Sequence, residues 1–274
     1  MAVNLATKYE KQLATAMTLE SVIAGRTNTE YEFTGVKSIN ILTPVTQALN
    51  DYTRTGANRY GTPTELQDTK QELTLTKDKS FSITVDKGNN SDQQFIKKAG
   101  KVVKAQVGEQ CTPFWDKNAL AVWATTTNKK IVATPDKDSA LDMFIDARKH
   151  LIDNNFQVNI NDCTAYVSST VYALLLKNPL FMGVETLAKE MLTKGTVGQS
   201  MNFLIKEVPA GYLPVGCHAI FTHKKAVLAV DKLNELKIHD NPPGINGALI
   251  EGRQYGDAFV LDVFKNGVYK STAS

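Results

Sequence analysis

Between residues 70 and 87 apolar and polar side chains alternate. Leu73, Leu75, Phe81, Ile83 and Val85 take the odd positions, while Glu72, Thr74, Thr76, Ser82, Thr84 and Asp86 take the even ones. A period of two is the pattern of a strand with one buried face, because successive side chains point to opposite sides. With 36–49 as the outgoing strand and 70–87 as the return, the pattern predicts a hairpin arm. About 14 to 18 residues at ~3.3 Å each would reach roughly 50 Å. A two-stranded ribbon of that length is marginal in water by itself. Its apolar face needs a cover, most simply a neighbouring copy of the same chain.

The period then changes. From Ser91 and Asp92, both good N-cap residues, apolar side chains recur at Phe95, Ile96, Ala99, Val102, Val103, Val107, Cys111, Phe114, Trp115, Ala119, Val122 and Trp123. That spacing is close to 3.6 and predicts a long amphipathic helix over 91–124, with Phe95, Val103, Val107 and Phe114 as core contacts. At 1.5 Å per residue it would span roughly 50 Å. Gly100, Gly108 and Pro113 interrupt it. Pro113 is expected to kink or split the rod, since it has no N–H and crowds the carbonyl of Glu109.

The first 30 residues read as a polar, partly helical lead-in with Leu13, Met17 and Leu19 as anchors. A turn-rich connector at 125–138 contains Thr134, Pro135 and Asp136. Beyond it, 139–152 reads as a helix with Leu141, Phe144, Ile145, Leu151 and Ile152 on one face. A buried strand at 164–168, a short helix at 170–177 stopped by Asn178 and Pro179, and a helix at 185–194 closed by Gly195 follow. Short strands at 203–208, 217–222 and 226–230 complete a compact α/β block. Asn241, Pro242, Pro243 and Gly244 mark a boundary, and 248–255 with 258–264 read as a terminal pair of strands.

Composition narrows the function. Hydrophobic residues at 42% and charged residues at 22% describe a folded chain. The net charge is only +3, and Lys and Arg are interspersed with Asp and Glu, without the dense basic patch of a specific nucleic-acid binder. No stretch approaches the ~20 apolar residues of a membrane span, so a soluble chain is expected. Cys111, Cys163 and Cys217 are far apart and form no Cys-x-x-Cys, so neither a disulfide framework nor a zinc site is indicated.

Candidate chemistry is sparse. His150, His218, His223 and His239 form no ligand pair at a recognised spacing, and an uninterrupted strand would send His218 and His223 to opposite faces. Nucleophile-elbow and phosphate-loop motifs are absent. Asp142 and Asp146 share a helix face but have Arg148 and Lys149 beside them, as solvated carboxylates do. No catalytic, cofactor-binding or metal-binding residue is assigned. One cluster remains, at the tip of the arm, where Asp51, Tyr52, Arg54, Arg59 and Tyr60 mix aromatic and charged groups, with Glu65 close behind. Tyr and Arg are enriched in protein interfaces, and the cluster reads as a contact with an adjacent subunit.

An N-terminal arm, a long hairpin, a long helix, a compact α/β block and a closing strand, in that order, resemble the major capsid proteins of tailed bacteriophages, with their Hong Kong 97-like fold. Four phrases look like capsid proteins from phages and prophages of Gram-positive bacteria. They are Asn50-Asp51-Tyr52-Thr53-Arg54-Thr55-Gly56, Arg59-Tyr60-Gly61-Thr62-Pro63, Val171-Tyr172-Ala173-Leu174-Leu175, and Lys237-Ile238-His239-Asp240-Asn241-Pro242-Pro243-Gly244.

The resemblance implies an α+β capsid fold divided into an N-terminal arm (1–35), an extended-loop hairpin (36–90), a peripheral domain with the spine helix (91–138), an axial domain around five- and six-fold centres (139–240), and a return to the peripheral domain (241–274). It implies a structural protein, not an enzyme, with no cofactor. Copies would form pentamers and hexamers of an icosahedral head, assembled in the host cytoplasm and enclosing double-stranded DNA that is touched only non-specifically. The short lead-in implies a separate scaffolding protein or an already processed chain, and a portal and decoration proteins are further implied partners; no membrane is involved. Lys77, Lys79 and Lys87 lie in the loop, and nothing singles one out as a crosslinker. Two alternatives are an encapsulin-like nanocompartment shell and a soluble α/β enzyme on 139–240, where no catalytic constellation is found.

Overall fold

The alternating stretch that predicts one return strand is two strands with different partners. In the computed structural model, which describes residues 20–31, 33, 37–92, 99–178, 181 and 198–274, β1 (Ser38–Pro44) pairs antiparallel with β2 (Asp68–Thr74) from Ser38↔Thr74 to Pro44↔Asp68. The chain then bends at Leu75 and Thr76. β3 (Lys77–Asp86) leaves this hairpin and pairs antiparallel with β10 (Gly247–Val260), from Lys77↔Gly256 to Asp86↔Gly247. β10 also pairs with β9 (Val227–Asp240), giving a three-stranded sheet in the order β3-β10-β9.

This corrects the expectation of a 50 Å arm. The seven-residue strands β1 and β2 reach only about 23 Å. The apolar residues at the base of the loop are covered by the chain itself: Ile41, Leu73 and Leu75 are buried with Phe33, Leu228 and Leu261. What projects is the segment 45–67, beyond the paired strands.

The long helix begins directly after β3 as α1 (Lys87–Asp92), so Ser91 and Asp92 lie inside the helix and do not cap it. After residues 93–98, which lie outside the described residues, α2 (Ala99–Gln106) leads into one π-helical turn at Val107–Cys111 and on into α3 (Thr112–Trp123). The N–H of Thr112 reaches the carbonyl of Val107, the bond that defines the wider turn. Pro113 falls in the first turn of α3, where its missing N–H is tolerated, and the backbone stays helical through Cys111. The rod changes its winding there and is not split.

A second sheet has six strands in the order β4-β11-β8-β5-β7-β6: β4 (Lys129–Ile131), β5 (Cys163–Ser168), β6 (Gly198–Ser200), β7 (Phe203–Val208), β8 (Cys217–His223) and β11 (Val268–Thr272). One face is covered by α4 (Lys137–Asp153) and α5 (Ser169–Leu176). α4 opens with a reciprocal capping box between Asp136 and Ser139. Its inward residues are Ala140, Met143, Phe144, Ala147 and Leu151, with Phe144 edge-on to Phe221 at 5.0 Å. Leu141 is buried with them, but Ile145 and Ile152, placed on the same face by the sequence reading, are exposed: the helix contacts the sheet along a narrower stripe. Against the opposite face lies α3, whose Ala119, Leu120 and Trp123 pack with Tyr166, Ile220, Val227 and Val268.

Two further expectations change. The terminal pair of strands is one strand, β10, with a register shift at Tyr255/Gly256, followed by a 3₁₀ stretch (Asp262–Gly267) and then β11. The boundaries drawn at 139 and 241 do not follow the sheets either. β4 and β11 come from outside 139–240 yet belong to the six-stranded sheet, and β9 lies inside that range yet belongs to the three-stranded one. The four residues 241–244 lie in the six-residue β9–β10 hairpin loop, 241–246, with Asn241 and Gly244 at φ 49° and 82°. The helix expected at 185–194, the anchors Leu13, Met17 and Leu19, and Phe95 lie outside the described residues. No helix among the described residues is long and apolar enough to cross a membrane.

Candidate assembly interface

The projecting segment is a folded knob. Its neck is closed by Val45 N–H to Gln67 O at 2.7 Å, and the inner turn by Thr53 N–H to Arg59 O at 3.1 Å and Gly61 N–H to Asn58 O at 2.9 Å. Left-handed residues make the reversals possible: Gly56, Asn58 and Gly61 have φ of 90°, 56° and 85°. Arg59 Nε donates to Gly56 O at 3.2 Å, and Asn50 Nδ2 donates to Tyr60 O at 3.4 Å. The rings of Tyr52 and Tyr60 meet edge-on at 5.0 Å.

Of the five tip residues singled out in sequence, the structure thus brings Tyr52 and Tyr60 into contact, while Arg59 binds within the turn, to Gly56 and Thr53. Asp51 and Arg54 are exposed and form no hydrogen bond or ion pair among the described residues. Around them Leu42, Val45, Leu49, Tyr60 and Leu66 present apolar surface to solvent, with Leu49 at 100% and Tyr60 at 84% exposure. Clustered exposed apolar residues on an ordered loop mark an interaction site.

The knob is carried on a polar junction that the sequence reading missed. The carboxylate of Asp257 on β10 accepts Thr76 N–H and hydroxyl, Asn118 Nδ2 on α3, and Ala258 N–H. Trp115 Nε1 donates to Gln254 Oε1 at 2.7 Å one turn away. At the outer edge, Arg253 binds Asp78 through two parallel bonds at 3.0 and 2.6 Å, and the guanidinium holds that carboxyl below the usual range. Also on α3, buried Asp116 accepts Ser21 Oγ at 2.7 Å and Val22 N–H at 3.0 Å. Burial pushes the Asp116 carboxyl up despite those bonds. The strap continues to Asn28, which forms a parallel bridge to Leu228, and Arg26 reaches the carbonyl of Asn161. A signal was available for Asp257, which stands directly before the apolar run Ala258 to Leu261, but not for Asp116, which is followed by Lys117 and Asn118.

Among the predicted spine contacts, Val103 and Phe114 are half-buried and Val107 is 36% exposed. The core is built instead by Ala119, Leu120, Trp123 and Ala124, because α3 is the part that packs on β10 and the six-stranded sheet. A cavity of about 310 Å³ lies between α3 and the β9–β10 hairpin, lined in part by Trp115, Asp116, Asp231 and Asp257. No group of His, Cys, Asp and Glu that could hold a metal occurs among the described residues.

Burial pushes the Cys163 and Cys217 thiols up to about 11 and also raises Cys111. Burial lowers His150 and His223. His150 and His218 contact the backbone carbonyls of Asn266 and Val132, and His223 Nδ1 accepts Lys225 N–H.

No family model matches the sequence, and no curated protein does. Solved structures do, along nearly the whole length. A Mycobacterium phage Che8 structure superposes with TM-score 0.77 at 20% identity, covering 98% of both chains. The asymmetric unit of the bacteriophage PhiM1 mature capsid gives 0.72 at 12%, covering 97% of this chain and 91% of that one. The head structure of Helicobacter pylori bacteriophage KHP40 gives 0.67 at 13%, covering 98% and 95%. The fold is the Hong Kong 97-like capsid fold.

Proposed function

We infer that the chain is a major capsid protein, a structural subunit whose copies close into the icosahedral head shell of a tailed phage or prophage around double-stranded DNA. The observation that carries this is the near-complete superposition on phage capsid and head structures. The ordered, apolar and partly charged extended-loop tip supports it. In this reading Asp51, Tyr52, Arg54, Arg59 and Tyr60 touch a neighbouring subunit. The six-stranded sheet with α4 and α5 forms the axial domain, and the spine helix with the three-stranded sheet forms the peripheral domain.

Pentamers and hexamers, a separate scaffolding protein, a portal and decoration proteins belong to the same reading, as does assembly in the host cytoplasm. The four sequence phrases favour a phage of Gram-positive bacteria. The weak basicity suits a container: each Lys or Arg contact to phosphate would resist packaging and release of DNA. Light scattering and negative-stain microscopy of the purified chain test the proposal. Shells, capsomers or curved sheets are the expected products; compact monomers under every salt and scaffold condition would refute it. Particles filled with protein cargo in place of DNA would point to a nanocompartment shell.

A further inference from the structure

Beyond its bulge, β9 is an edge strand: it pairs with β10, and among the described residues no strand flanks its other side. Residues 234–240 are all exposed. Leu236 and Ile238, each 48% exposed, share one face, while Glu235 and Lys237 share the other, where they face each other along the strand at 3.7 Å. An edge strand with exposed apolar residues is a template for a further strand.

We propose that this edge joins the same edge of a second copy, antiparallel across a two-fold axis through Leu236, fusing two three-stranded sheets into one. The inference rests on the shell reading and names one contact between its subunits. An axis perpendicular to the sheet keeps each side chain on its own face, so it must pass through a residue. Centred on Leu236, the register sets Glu235 opposite Lys237 of the second copy, and Lys237 opposite its Glu235. Leu236 meets its own counterpart, and Ile238 extends the apolar strip on either side. Moving the axis by one residue sets Glu235 against Glu235 or Lys237 against Lys237. Centring it on Ile238 sets Lys237 against His239. Opposite charges in directly facing positions favour a strand pair and like charges disfavour it, so the sequence itself selects the Leu236 register.

The test is a single cysteine. Facing Cα atoms in an antiparallel pair are about 4.5 to 5.5 Å apart, within disulfide range. Leu236→Cys should therefore give a covalent dimer on oxidation of assembled particles, read by non-reducing electrophoresis. Ile238→Cys, whose counterpart lies roughly 13 Å along the strands, should stay monomeric. The unaltered chain controls for Cys111, Cys163 and Cys217. Adding Glu235→Lys should cut the Leu236→Cys crosslink at least about tenfold, and adding Lys237→Glu as well should restore it, because the exchanged charges again face their opposites. Intact shells in which Leu236→Cys fails to crosslink, or in which Ile238→Cys crosslinks equally, overturn the pairing and leave the capsid reading standing. A covalent dimer without any shell supports the pairing and counts against the shell; monomers with neither overturn both.

Discussion

Thr76 gives both its backbone N–H and its hydroxyl to one carboxylate oxygen of Asp257, at 3.0 and 2.6 Å. Thr76 stands at the bend between β2 and β3, so this contact fixes where the β1–β2 hairpin leaves the body. Asn118 holds the other oxygen from the spine helix at 3.3 Å. Loop base, helix and β10 therefore converge on one buried carboxylate.

Asp257→Ala strands these donors and should cost about 2 to 4 kcal/mol of subunit stability, with Thr76→Val costing about 1 to 2. Chemical denaturation checks both. Losses below about 0.5 kcal/mol would show that the junction does not fasten the loop.

At the tip, Arg54→Glu should impair assembly while changing subunit stability by less than about 0.5 kcal/mol, since Arg54 is exposed and forms no hydrogen bond or ion pair among the described residues. Sedimentation of assembly mixtures alongside melting curves separates the two effects; equal losses would place Arg54 in the fold and not at an interface.

Gly61→Ala places a Cβ 2.5 Å from Asn50 Nδ2 at a φ of +85°. The left-handed backbone alone costs an alanine about 1 to 2 kcal/mol. Faster amide exchange over residues 50–61, with the six-stranded sheet unchanged, is the expected signature.

In the spine, Leu120→Ala should cost about 2 to 5 kcal/mol because its side chain is fully buried. Val107→Ala should stay within about 0.5 kcal/mol. Matched denaturation curves would contradict the placement of the core at α3.

Asp116 gives a pH signature. Burial holds its carboxyl above the ordinary 3.8, so the folded chain binds this proton more tightly than the unfolded chain does. Its stabilising contribution is complete below 3.8 and is lost as pH rises through the raised value. Asp116→Asn should flatten that part of the stability–pH curve, measured by denaturation from about pH 4 to neutrality. Parallel curves would refute the assignment.

Local pattern revealed α4, β5, α5, β7 and β8 nearly to their ends, because each is bounded by caps or turns and carries a run or stripe of buried apolar residues. It did not reveal that the alternation from Leu73 to Val85 is shared between two sheets. The partner of β3 lies in β10, far along the chain, and periodicity carries no information about pairing. Nor did it show β11, whose Val268–Thr272 reads as an ordinary polar tail until it is seated between β4 and β8. At the tip, the residue types that pointed to a contact were legible; the turn geometry that joins Tyr52 to Tyr60 was not, since it depends on the left-handed Asn58 and Gly61.

The π turn at Val107–Cys111 accommodates one residue more than an α-helical turn would, so everything after it is rotated by about 100° relative to an unbroken helix. Counting by 3.6 from Val103 through to Trp123 is therefore one position out of phase by the time it arrives. The two halves of the spine face different directions by construction. A chain lacking Gly108 would wind as one uninterrupted helix and aim both halves the same way, so this one extra residue sets which way the outer half of the spine looks.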